Sequence, residues 1–373
     1  MVKLSPCAFL ISQFLISTIT LPVRTLVLGN HDSIFNKRTT LAPGFTWGTD
    51  PMRGVNIGGW LVLEPWITPS IFEGKPDWVI DEWTYGVYMN NRTDTIELEN
   101  IAAVGLNTIR IQIAFWSVIP LENGEPYLVG AYDYLKLAVT WASSLNLKVM
   151  VDVHGCPGGQ NGFDNSGIRG VREWSTNDTN IPRTLSTIQA LTAEFSQWFY
   201  NDTVIAIELI NEPFPYSTAE LDILKSYYEA GYGTHIYTMF DTGLITMGYS
   251  ESLDWYCGQK DYLVTSNNVH WTIVGEFAPA NTDCAYWLNG RGMGARYDNT
   301  LNTSASLRYP GDCGGKTGAD PRKFSAEYVE YLAKSFETQT WVYEQASGWV
   351  MWTWKTEQAA DWSMQTGITY GER

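Results

Sequence analysis

Short apolar runs alternate with amphipathic runs along the chain from Arg53 onward. Seven apolar runs have the length of a buried strand: residues 54–61, 108–113, 148–154, 204–212, 234–239, 270–277 and 348–355. Between them, apolar residues recur at every third or fourth position, the period of a helix with one buried face. These faces are Leu98, Ile101, Ala102 and Gly105; Leu135, Ala138, Ala142 and Leu145; and Leu185, Ile188, Thr192 and Phe195. The alternation predicts a parallel sheet with crossover helices.

Polar residues at the strand ends separate two architectures, an open doubly wound sheet and a closed (β/α)8 barrel. An open sheet would have a glycine-rich phosphate turn after its first strand, and the sequence has none there. In a barrel the functional groups come from the C-terminal ends of many strands. The chain fits that pattern with Arg110, His154, Asn211, Glu212, His235, Tyr237, Glu276 and Trp354. We therefore predict a single barrel domain over residues 51–373, because no linker or repeat interrupts the pattern.

The N-terminal residues indicate secretion. Residues 1–21 resemble a signal peptide, because Lys3 precedes an apolar stretch at residues 8–20 that is too short to span a membrane. We expect residues 22–50 to be an irregular lead-in, and no other stretch is apolar enough to cross a bilayer. Four glycosylation sequons fit a secreted glycoprotein, at Asn91, Asn177, Asn201 and Asn302.

Cysteine and histidine usage argues against a metal site. Beyond the signal segment the cysteines are too sparse and wrongly spaced for zinc: Cys156, Cys257, Cys284 and Cys313. We predict a Cys284–Cys313 disulfide and expect Cys257 to have no partner. His154 and His235 lack the further ligands that a metal needs, so we expect no metal.

Composition narrows the class of partner. The chain has 24 basic and 40 acidic residues and a net charge of -16, so it would repel a polyanion such as nucleic acid. Aromatic residues make up 14% of the chain, with 17 Trp and 21 Tyr, which exceeds what a core requires. Flat ring faces commonly bind sugars, so a carbohydrate is the first candidate ligand.

Two glutamates carry the central hypothesis. Glu212 and Glu276 each close a strand-like run, which would hold both carboxylates at the barrel mouth among rings and few counter-charges. Such a site raises the pKa of one carboxyl and leaves the other ionised, as glycoside hydrolysis requires of its acid and its nucleophile. A separation of roughly 5 Å gives retention of configuration, and about 6.5 to 9.5 Å gives inversion.

Neighbouring residues have simpler interpretations. Glu208 lies four residues deeper on the same predicted strand as Glu212, so we interpret it as structural. Arg110 lies inside an apolar strand and needs a partner, for which we expect one of the two glutamates. Tyr237 could donate a hydrogen bond to the same glutamate, and Trp354 could form the floor of a sugar site.

Six motifs follow one another in order from about Pro51 to the end. They are RGVNIGGWLVLEPWITPSIFE (53–73), DVHGCPGGQNGFDNSG (152–167), INEP (210–213), HIYTMF (235–240), VGEFAPANTDC (274–284) and MWTWKTE (351–357). Together they resemble glycoside hydrolase family five, and within it the fungal exo-β-1,3-glucanases of the cell wall.

The resemblance implies a (β/α)8 barrel enzyme that retains anomeric configuration and releases glucose from the non-reducing ends of β-1,3-glucan. It implies an extracellular or cell-wall location, a β-glucan partner, no cofactor and, in our expectation, a monomer. Glu212 is similar to the acid/base and Glu276 to the nucleophile. Other active-site positions match Arg110, His154, Asn211, His235, Tyr237 and Trp354. The terminal sugar would be held by Glu64, Asp164 and Asn165, and the next sugar clamped by Phe163 and Phe240.

The chain departs from the family between Glu212 and His235. Residues 214–233 number twenty, and a helix at about 218–230 uses most of them. A βα unit of this fold takes roughly 30 residues. We therefore expect a TIM barrel that lacks the fifth βα unit, with Gly231, Tyr232 and Gly233 at the seam. The chain also stops at Arg373, before the family's last cysteine, which would explain an unpaired Cys257.

Two alternatives stay open. The same groups could cleave β-1,6-glucan or another β-glucoside, or transfer glycosyl units instead of hydrolysing them. A chain without one barrel unit could instead be an inactive or glucan-binding form, and cooperative unfolding would distinguish these states.

Overall fold

The computed structural model describes residues 41–46, 49–88, 98–122, 124–200, 202–228, 232–269, 271–301, 307 and 311–370. The predicted signal peptide and most of the lead-in lie outside these residues. So do the sequons at Asn91, Asn201 and Asn302, and Gly231 of the predicted seam. Asn177, the remaining sequon, is exposed in the turn before a helix.

Seven parallel strands form one sheet. They are β1 (Met52–Asn56), β2 (Thr108–Ala114), β3 (Lys148–Gly155), β4 (Val204–Glu208), β5 (Tyr232–Ile236), β6 (Thr272–Phe277) and β7 (Gly348–Met351). Their order is β4-β3-β2-β1-β7-β6-β5, with every neighbouring pair parallel. The predicted parallel sheet is therefore confirmed, as a curled sheet of the TIM-barrel kind whose two edge strands are β4 and β5.

The two faces of the central strands explain where chemistry can occur. On β2, Ile109, Ile111 and Ile113 pack into the main core beneath the helices. Arg110 alternates with them and points to the concave interior, because successive strand residues face opposite sides. On β3, Asp152 and His154 alternate with valines in the same way. The inside of the curled sheet is therefore polar and its outside apolar.

The edge strand β4 is less covered than its neighbours. All seven residues of β2 are buried, whereas all five residues of β4 are only half-buried. Within the described residues, no strand pairs with the free edge of β4 or with that of β5. The sheet therefore has an opening between these two edges.

Several strands are shorter than predicted. The sequence predicts strands through Leu61, Glu212 and Lys355, but they end at Asn56, Glu208 and Met351. In each case large apolar side chains that follow remain buried, so apolar character continues after the ladder stops; they are Trp60, Leu61, Ile210, Trp352 and Trp354.

The helices are α1 (Pro69–Phe72), α2 (Glu82–Tyr88), α3 (Leu98–Ala103), α4 (Phe115–Val118), α5 (Ala131–Ser144), α6 (Asn180–Phe195), α7 (Thr218–Tyr227), α8 (Tyr249–Gly258), α9 (Lys260–Asn267), α10 (Ala326–Tyr343) and α11 (Met364–Tyr370). Short 3-10 turns lie at Asp164–Ser166, Leu244–Thr246, Pro321–Lys323 and Ala360–Trp362. The helices connect successive strands, as crossover units require.

One predicted helical face is correct and another is displaced. On α5, Leu135, Ala138 and Ala142 are buried as predicted. On α6 the prediction is correct for Phe195, which is buried, and wrong for Leu185, which is 51% exposed. The buried residues of α6 include Thr184 and Thr187, whose hydroxyls donate to backbone carbonyls four residues earlier and so enter the core without an unpaired group.

A buried tryptophan joins two segments of the polar interior. The Trp116 ring stacks on Tyr127 with 4.1 Å between ring centroids. Two glycines lie against this ring, Gly155 at the end of β3 and Gly167 after the 3-10 turn at Asp164–Ser166. A Cβ atom at Gly155 would lie 2.6 Å from the ring, and at Gly167 it would lie 2.3 Å away. The ring therefore fixes both backbones at once.

The predicted Cys284–Cys313 disulfide is confirmed. The expectation that Cys257 has no partner is wrong, because Cys257 is disulfide-bonded. Cys156 is a buried free thiol. Within the described residues, no helix combines the length and the apolar character needed to cross a membrane.

Candidate active site

Arg110 is the centre of the polar interior, and its side chain is fully buried. Its guanidinium donates to Glu208 Oε2 at 2.7 Å, to Glu276 Oε1 at 2.7 Å and to Asn211 Oδ1 at 3.0 Å. It also contacts Asn56 Oδ1 at 2.7 Å and Asp152 Oδ2 at 3.1 Å. The expected ion pair with one of the two glutamates is confirmed, with Glu276. Since a buried guanidinium needs its donors satisfied, these five partners fix its position.

Glu276 lies on β6 and is almost completely buried. One carboxylate oxygen accepts from Arg110, and the other accepts from the Tyr237 hydroxyl at 3.0 Å. Burial raises the pKa of Glu276 above its ordinary value of 4.5, against the opposing charges of His235 and Arg110. The donors hold the carboxylate in one orientation, with Oε2 towards Glu212.

Glu212 lies in the loop after β4, and its backbone has a φ of 41°. This left-handed conformation is uncommon for a residue with a Cβ atom, so the loop holds Glu212 against a local backbone preference. Its Oε1 lies 3.0 Å from His235 Nδ1, and its Oε2 accepts from Asn165 Nδ2 at 3.1 Å. The side chain is therefore bound from two different loops.

His235, on β5, lies between the two glutamates. Its Nδ1 is 3.0 Å from Glu212 Oε1 and 3.4 Å from Glu276 Oε2, and its Nε2 is 3.9 Å from Glu208 Oε1. Although burial opposes its charged form, Glu276 and Glu212 raise the pKa of His235 to about 9. His235 in turn lowers the pKa of Glu212 to about 2, despite burial of that carboxyl. At neutral pH the proton of this pair is thus on His235.

A second polar group surrounds His154. Its Nδ1 lies 2.6 Å from Asp152 Oδ2, and its Nε2 lies 3.9 Å from Glu64 Oε1. Burial raises the pKa of Glu64 to about 8 and that of Asp164 to about 6. Within the described residues, several buried atoms have no hydrogen-bond partner: Trp60 Nε1, Glu64 Oε1, His154 Nε2, Asp164 Oδ2 and Asn211 Nδ2. Such atoms suit a ligand rich in hydroxyl groups, because an unpaired buried polar atom is costly.

Rings bound the site on two sides. Phe163 precedes Asp164 and is 46% exposed, and Phe240 is 41% exposed. Phe240 packs against Tyr237, with ring centroids 5.4 Å apart, so it lies on the Glu276 side. Phe163 lies near Asn165, on the Glu212 side. The structure thus brings both predicted clamp residues to the rim of the site.

The ring that stacks on His154 lies two positions before the predicted floor residue. Trp354 is buried and belongs to the main core cluster, and its predicted contact with a sugar stays a prediction. Trp352 instead stacks on His154, with centroids 5.7 Å apart and planes 6° from parallel. Both tryptophans lie after the apolar run of β7, and the sequence gives no signal that β7 ends before them.

Sequence reasoning missed three polar residues of the site. Asn56 bonds Arg110 and also donates to carbonyls of β6 and β7. Asp152 bonds both Arg110 and His154. Gln160 donates to the carbonyls of His154 and Asn211. Asn56 and Asp152 are polar residues at inward positions of strands, and this pattern could have identified them as site residues. Gln160 lies in a loop, where no such pattern exists.

Glu212, His235 and Glu276 also have the geometry to hold an ion. Donor atoms of Glu212, His235 and Glu276 all lie within 4.8 Å of one another. Each is already engaged by a neighbour, Glu276 by Arg110 and Tyr237, and Glu212 by Asn165.

The fold and site together define a class of enzyme. Two close carboxylates lie at the mouth of a curled parallel sheet, among buried hydrogen-bonding atoms and exposed rings. This arrangement is that of an O-glycosyl hydrolase.

Comparison with known proteins specifies the family. Residues 80–236 match the family model for cellulase (glycosyl hydrolase family 5). A probable glucan 1,3-β-glucosidase A of Aspergillus niger is 37% identical, with 85% of each chain covered. A glucan 1,3-β-glucosidase of Blumeria graminis is 36% identical, with 83% of each chain covered. The chain belongs to glycosyl hydrolase family 5, whose members are glycosidases.

Solved structures agree on the fold. The crystal structure of a rutinosidase from Aspergillus niger superposes with a TM-score of 0.58 and 16% identity, covering 88% of this chain and 99% of that one. At this identity the likeness concerns the fold.

Proposed function

We propose that the chain is a retaining exo-β-1,3-glucanase that releases glucose from the non-reducing ends of β-glucan. Glu276 is the nucleophile and Glu212 the acid/base. Arg110 and Tyr237 hold Glu276 for attack, and Asn211 fixes the guanidinium of Arg110. His235 and His154 complete the polar interior around the reacting sugar.

One observation carries the proposal, the short distance between the two carboxylates. Oxygen atoms of Glu212 and Glu276 lie within 4.8 Å of each other and share His235. A retaining mechanism needs carboxyl groups about 5 to 5.5 Å apart, whereas inversion needs room for a water between them. The geometry therefore supports formation of a glycosyl-enzyme intermediate.

The proton that the leaving group needs would move along the hydrogen bond between His235 and Glu212. In the free site, the pKa values place this proton on His235. As the leaving oxygen gains charge, the proton passes from His235 to Glu212 and from Glu212 to that oxygen. Glu212 then accepts a proton from the water that cleaves the intermediate.

The terminal sugar would bind beside His154. Glu64, Asp164 and Asn165 surround this region, and the raised pKa values of Glu64 and Asp164 let both donate hydrogen bonds at mildly acidic pH. The Trp352 ring lies behind His154. The β-1,3 linkage rests on the two glucan 1,3-β-glucosidase relatives, and Phe163 and Phe240 at the rim fit an end-clipping pocket.

The test of the roles is covalent trapping. A 2-deoxy-2-fluoro-glucosyl donor accumulates the intermediate of a retaining enzyme, and peptide mass spectrometry then identifies the labelled carboxylate. We expect the label on Glu276, together with glucose release from laminarin that Glu276→Gln abolishes. A label on Glu212 would reverse the assignment, and release of α-glucose would rule out retention.

A matched variant separates the acid/base from the nucleophile. Glu212→Ala should lose activity on laminarin but recover cleavage of an activated aryl β-glucoside when azide is added, giving a β-glucosyl azide. Glu276→Ala should give no β-product under the same conditions. Glucose release from pustulan at the laminarin rate would instead favour the β-1,6-glucan alternative.

We further propose that the barrel lacks its fifth βα unit. The connection from β4 to β5 contains only α7, the β4 and β5 edges flank an opening, and α7 has no fully buried residue. The alignment with the Aspergillus niger relative spans 364 positions but covers 85% of this chain, so it includes several tens of positions without a residue here.

The opening also supports the alternative of an inactive or glucan-binding form. An unpaired edge exposes backbone groups and invites association. Cooperative unfolding of the purified chain, together with glucose release, would exclude this alternative. A broad, non-cooperative transition without activity would favour it.

We propose that the protein is secreted and acts as a monomer at the cell wall. The Cys284–Cys313 disulfide is typical of an oxidising compartment. N-terminal sequencing of the secreted product should show that residues 1–21 are removed, and sedimentation should give the mass of one chain. A retained N-terminus or an intracellular product would contradict the proposal.

A further inference from the structure

Three exposed rings form a continuous row beside Glu212. Phe163 contacts Phe214, with ring centroids 6.2 Å apart, and Phe214 contacts Tyr216 at 4.9 Å. Phe214 and Tyr216 are each 52% exposed. Exposed contiguous rings of this kind mark a binding surface rather than core packing. We call these three rings the aromatic ridge.

The ridge is held from both sides. The Arg172 guanidinium lies 3.5 Å from the centre of the Tyr216 ring, and the Arg172 stem packs against Gly162 beside Phe163. The Tyr216 amide donates to Glu220 Oε2 at 2.8 Å, and the Phe214 amide donates to the Gln160 carbonyl at 3.3 Å. These contacts fix the rings without covering them, so little conformational entropy is lost when a ligand binds.

The ridge lies on the leaving-group side of the site. Phe214 follows Glu212 by two residues, and Phe163 is two residues before Asn165, which bonds Glu212. An acid/base carboxyl contacts the oxygen of the leaving group, so rings that extend away from Glu212 follow the part of the glucan that departs. A cavity at the base of the ridge adds the polar side chains of Gln160, Arg172 and Glu220.

We propose that Phe214 and Tyr216 extend the site beyond Phe163 and bind the second and third glucose units of the leaving glucan. The ligand class is a neutral β-glucan chain, whose C–H faces pack on the rings while its hydroxyls reach the polar groups at their base. This inference rests on the proposed glucanase function and adds the preference for chain length.

Kinetics on substrates of increasing length test the ridge. Tyr216→Leu keeps an apolar side chain but removes the flat face. Because the ring binds substrate and transition state alike, KM should rise about fivefold to twentyfold on laminaritetraose, whose leaving part has three glucose units, while kcat stays within about twofold. Activity on p-nitrophenyl β-glucoside, which is too short to reach Tyr216, should not change.

Trp198→Leu is the matched control. Trp198 is 85% exposed in the connection before β4, at the opposite end of the strands from Glu212. It should leave all substrates unaffected, and thermal unfolding should confirm that both variants fold. An equal effect of Tyr216→Leu on the aryl glucoside and the oligosaccharides, or no effect on either, would overturn the inference.

A binding measurement tests the aromatic ridge independently of catalysis. In a Glu276→Gln background, calorimetric titration with laminaritetraose should give a Kd raised by the same factor when Tyr216→Leu is added. If the wild-type chain releases no glucose, the proposed function fails, but this titration still decides the ridge. Equal Kd values, or no binding at all, would overturn it.

Discussion

At the scale of residues, the His235 imidazole determines which groups of the site carry a proton. His235 lies within 3.4 Å of both glutamates, and its pKa is raised while that of Glu212 is lowered. Two carboxylates this close would repel each other without a cation between them. His235 and Arg110 supply that positive charge from opposite sides of Glu276, so the ionised pair is stable inside a buried site.

The pH dependence of kcat/KM should report these groups. As the proposed nucleophile, Glu276 must be ionised to attack, and burial raises its pKa above the ordinary 4.5, so activity should fall on acidification with a midpoint above 4.5. Activity should also fall near pH 9, where His235 loses the proton it shares with Glu212. His235→Gln should move the alkaline limb to lower pH, because Glu212 alone then holds the proton. An unmoved alkaline limb would show that another group supplies it.

Glu64 should make the protein less stable as pH rises. Its folded-state pKa is about 8 against an ordinary 4.5, because of burial. Between these values the folded state binds a proton that the unfolded chain has lost, so the free energy of unfolding falls with rising pH. Glu64→Gln cannot titrate and should reduce the loss between pH 5 and pH 8 by about 2 to 5 kcal/mol.

Urea unfolding at the two pH values measures this difference. The exposed Glu73 provides the control, since Glu73→Gln removes a carboxyl of the same type outside the site. The same pH dependence in wild type and Glu64→Gln would mean that Glu64 is charged in the folded protein.

At the scale of elements, Trp116 connects the end of β3 with the turn that contains Asp164 and Asn165. Gly167 has a φ of 90° and leaves no room for a Cβ atom against this ring, which is only 2.3 Å from the Cβ position. Gly167→Ala should therefore lower stability by about 2 kcal/mol or more and displace the turn that binds Glu212. Thermal unfolding and kcat on laminarin measure the two effects.

Gly170 offers a control with the same backbone conformation. Its φ is 84°, and nothing lies within 4 Å of its Cβ position. Gly170→Ala thus carries the conformational strain without the contact to Trp116. Equal losses in the two variants would show that strain alone, and not the ring, constrains the turn.

The elements also show what the sequence can and cannot predict. The polar ends of the strands and the ordered motifs predict that Arg110, Glu212 and Glu276 meet at one end of the sheet, and the structure brings their side chains together. The α6 face is mispredicted because Thr184 and Thr187 satisfy their hydroxyls within the helix and so become buried. Trp352 and the aromatic ridge depend on where loops turn, which no periodicity records.

At the scale of the whole molecule, we expect the opening between the edges of β4 and β5 to limit stability. Inserting a βα unit after Tyr228 should cover the half-buried β4 and raise Tm by at least about 5 °C. Laminarin hydrolysis should persist in both forms if the site is intact without the unit. Calorimetry of the two proteins at one pH measures the change.

An insertion of the same length made of Gly and Ser separates coverage from chain length. It lengthens the loop at a small entropic cost and covers nothing, so Tm should stay the same or fall slightly. If the Gly/Ser insertion and the βα unit give the same Tm, β4 does not need a neighbour.

His235 also links the two edges of the sheet. Within the described residues, β4 and β5 are the edge strands, so the strand hydrogen bonds connect them only through the five strands between them. Its contacts with Glu212 and Glu208 span the opening directly. A histidine with a raised folded pKa stabilises the protein below its ordinary value of 6.5, and this contribution disappears as pH rises through about 9. In the proposed mechanism, loss of this one proton removes both the proton that Glu212 passes to the leaving group and the charge that holds the two edges together, so we expect inactivation by alkali and separation of the β4 and β5 edges to occur together.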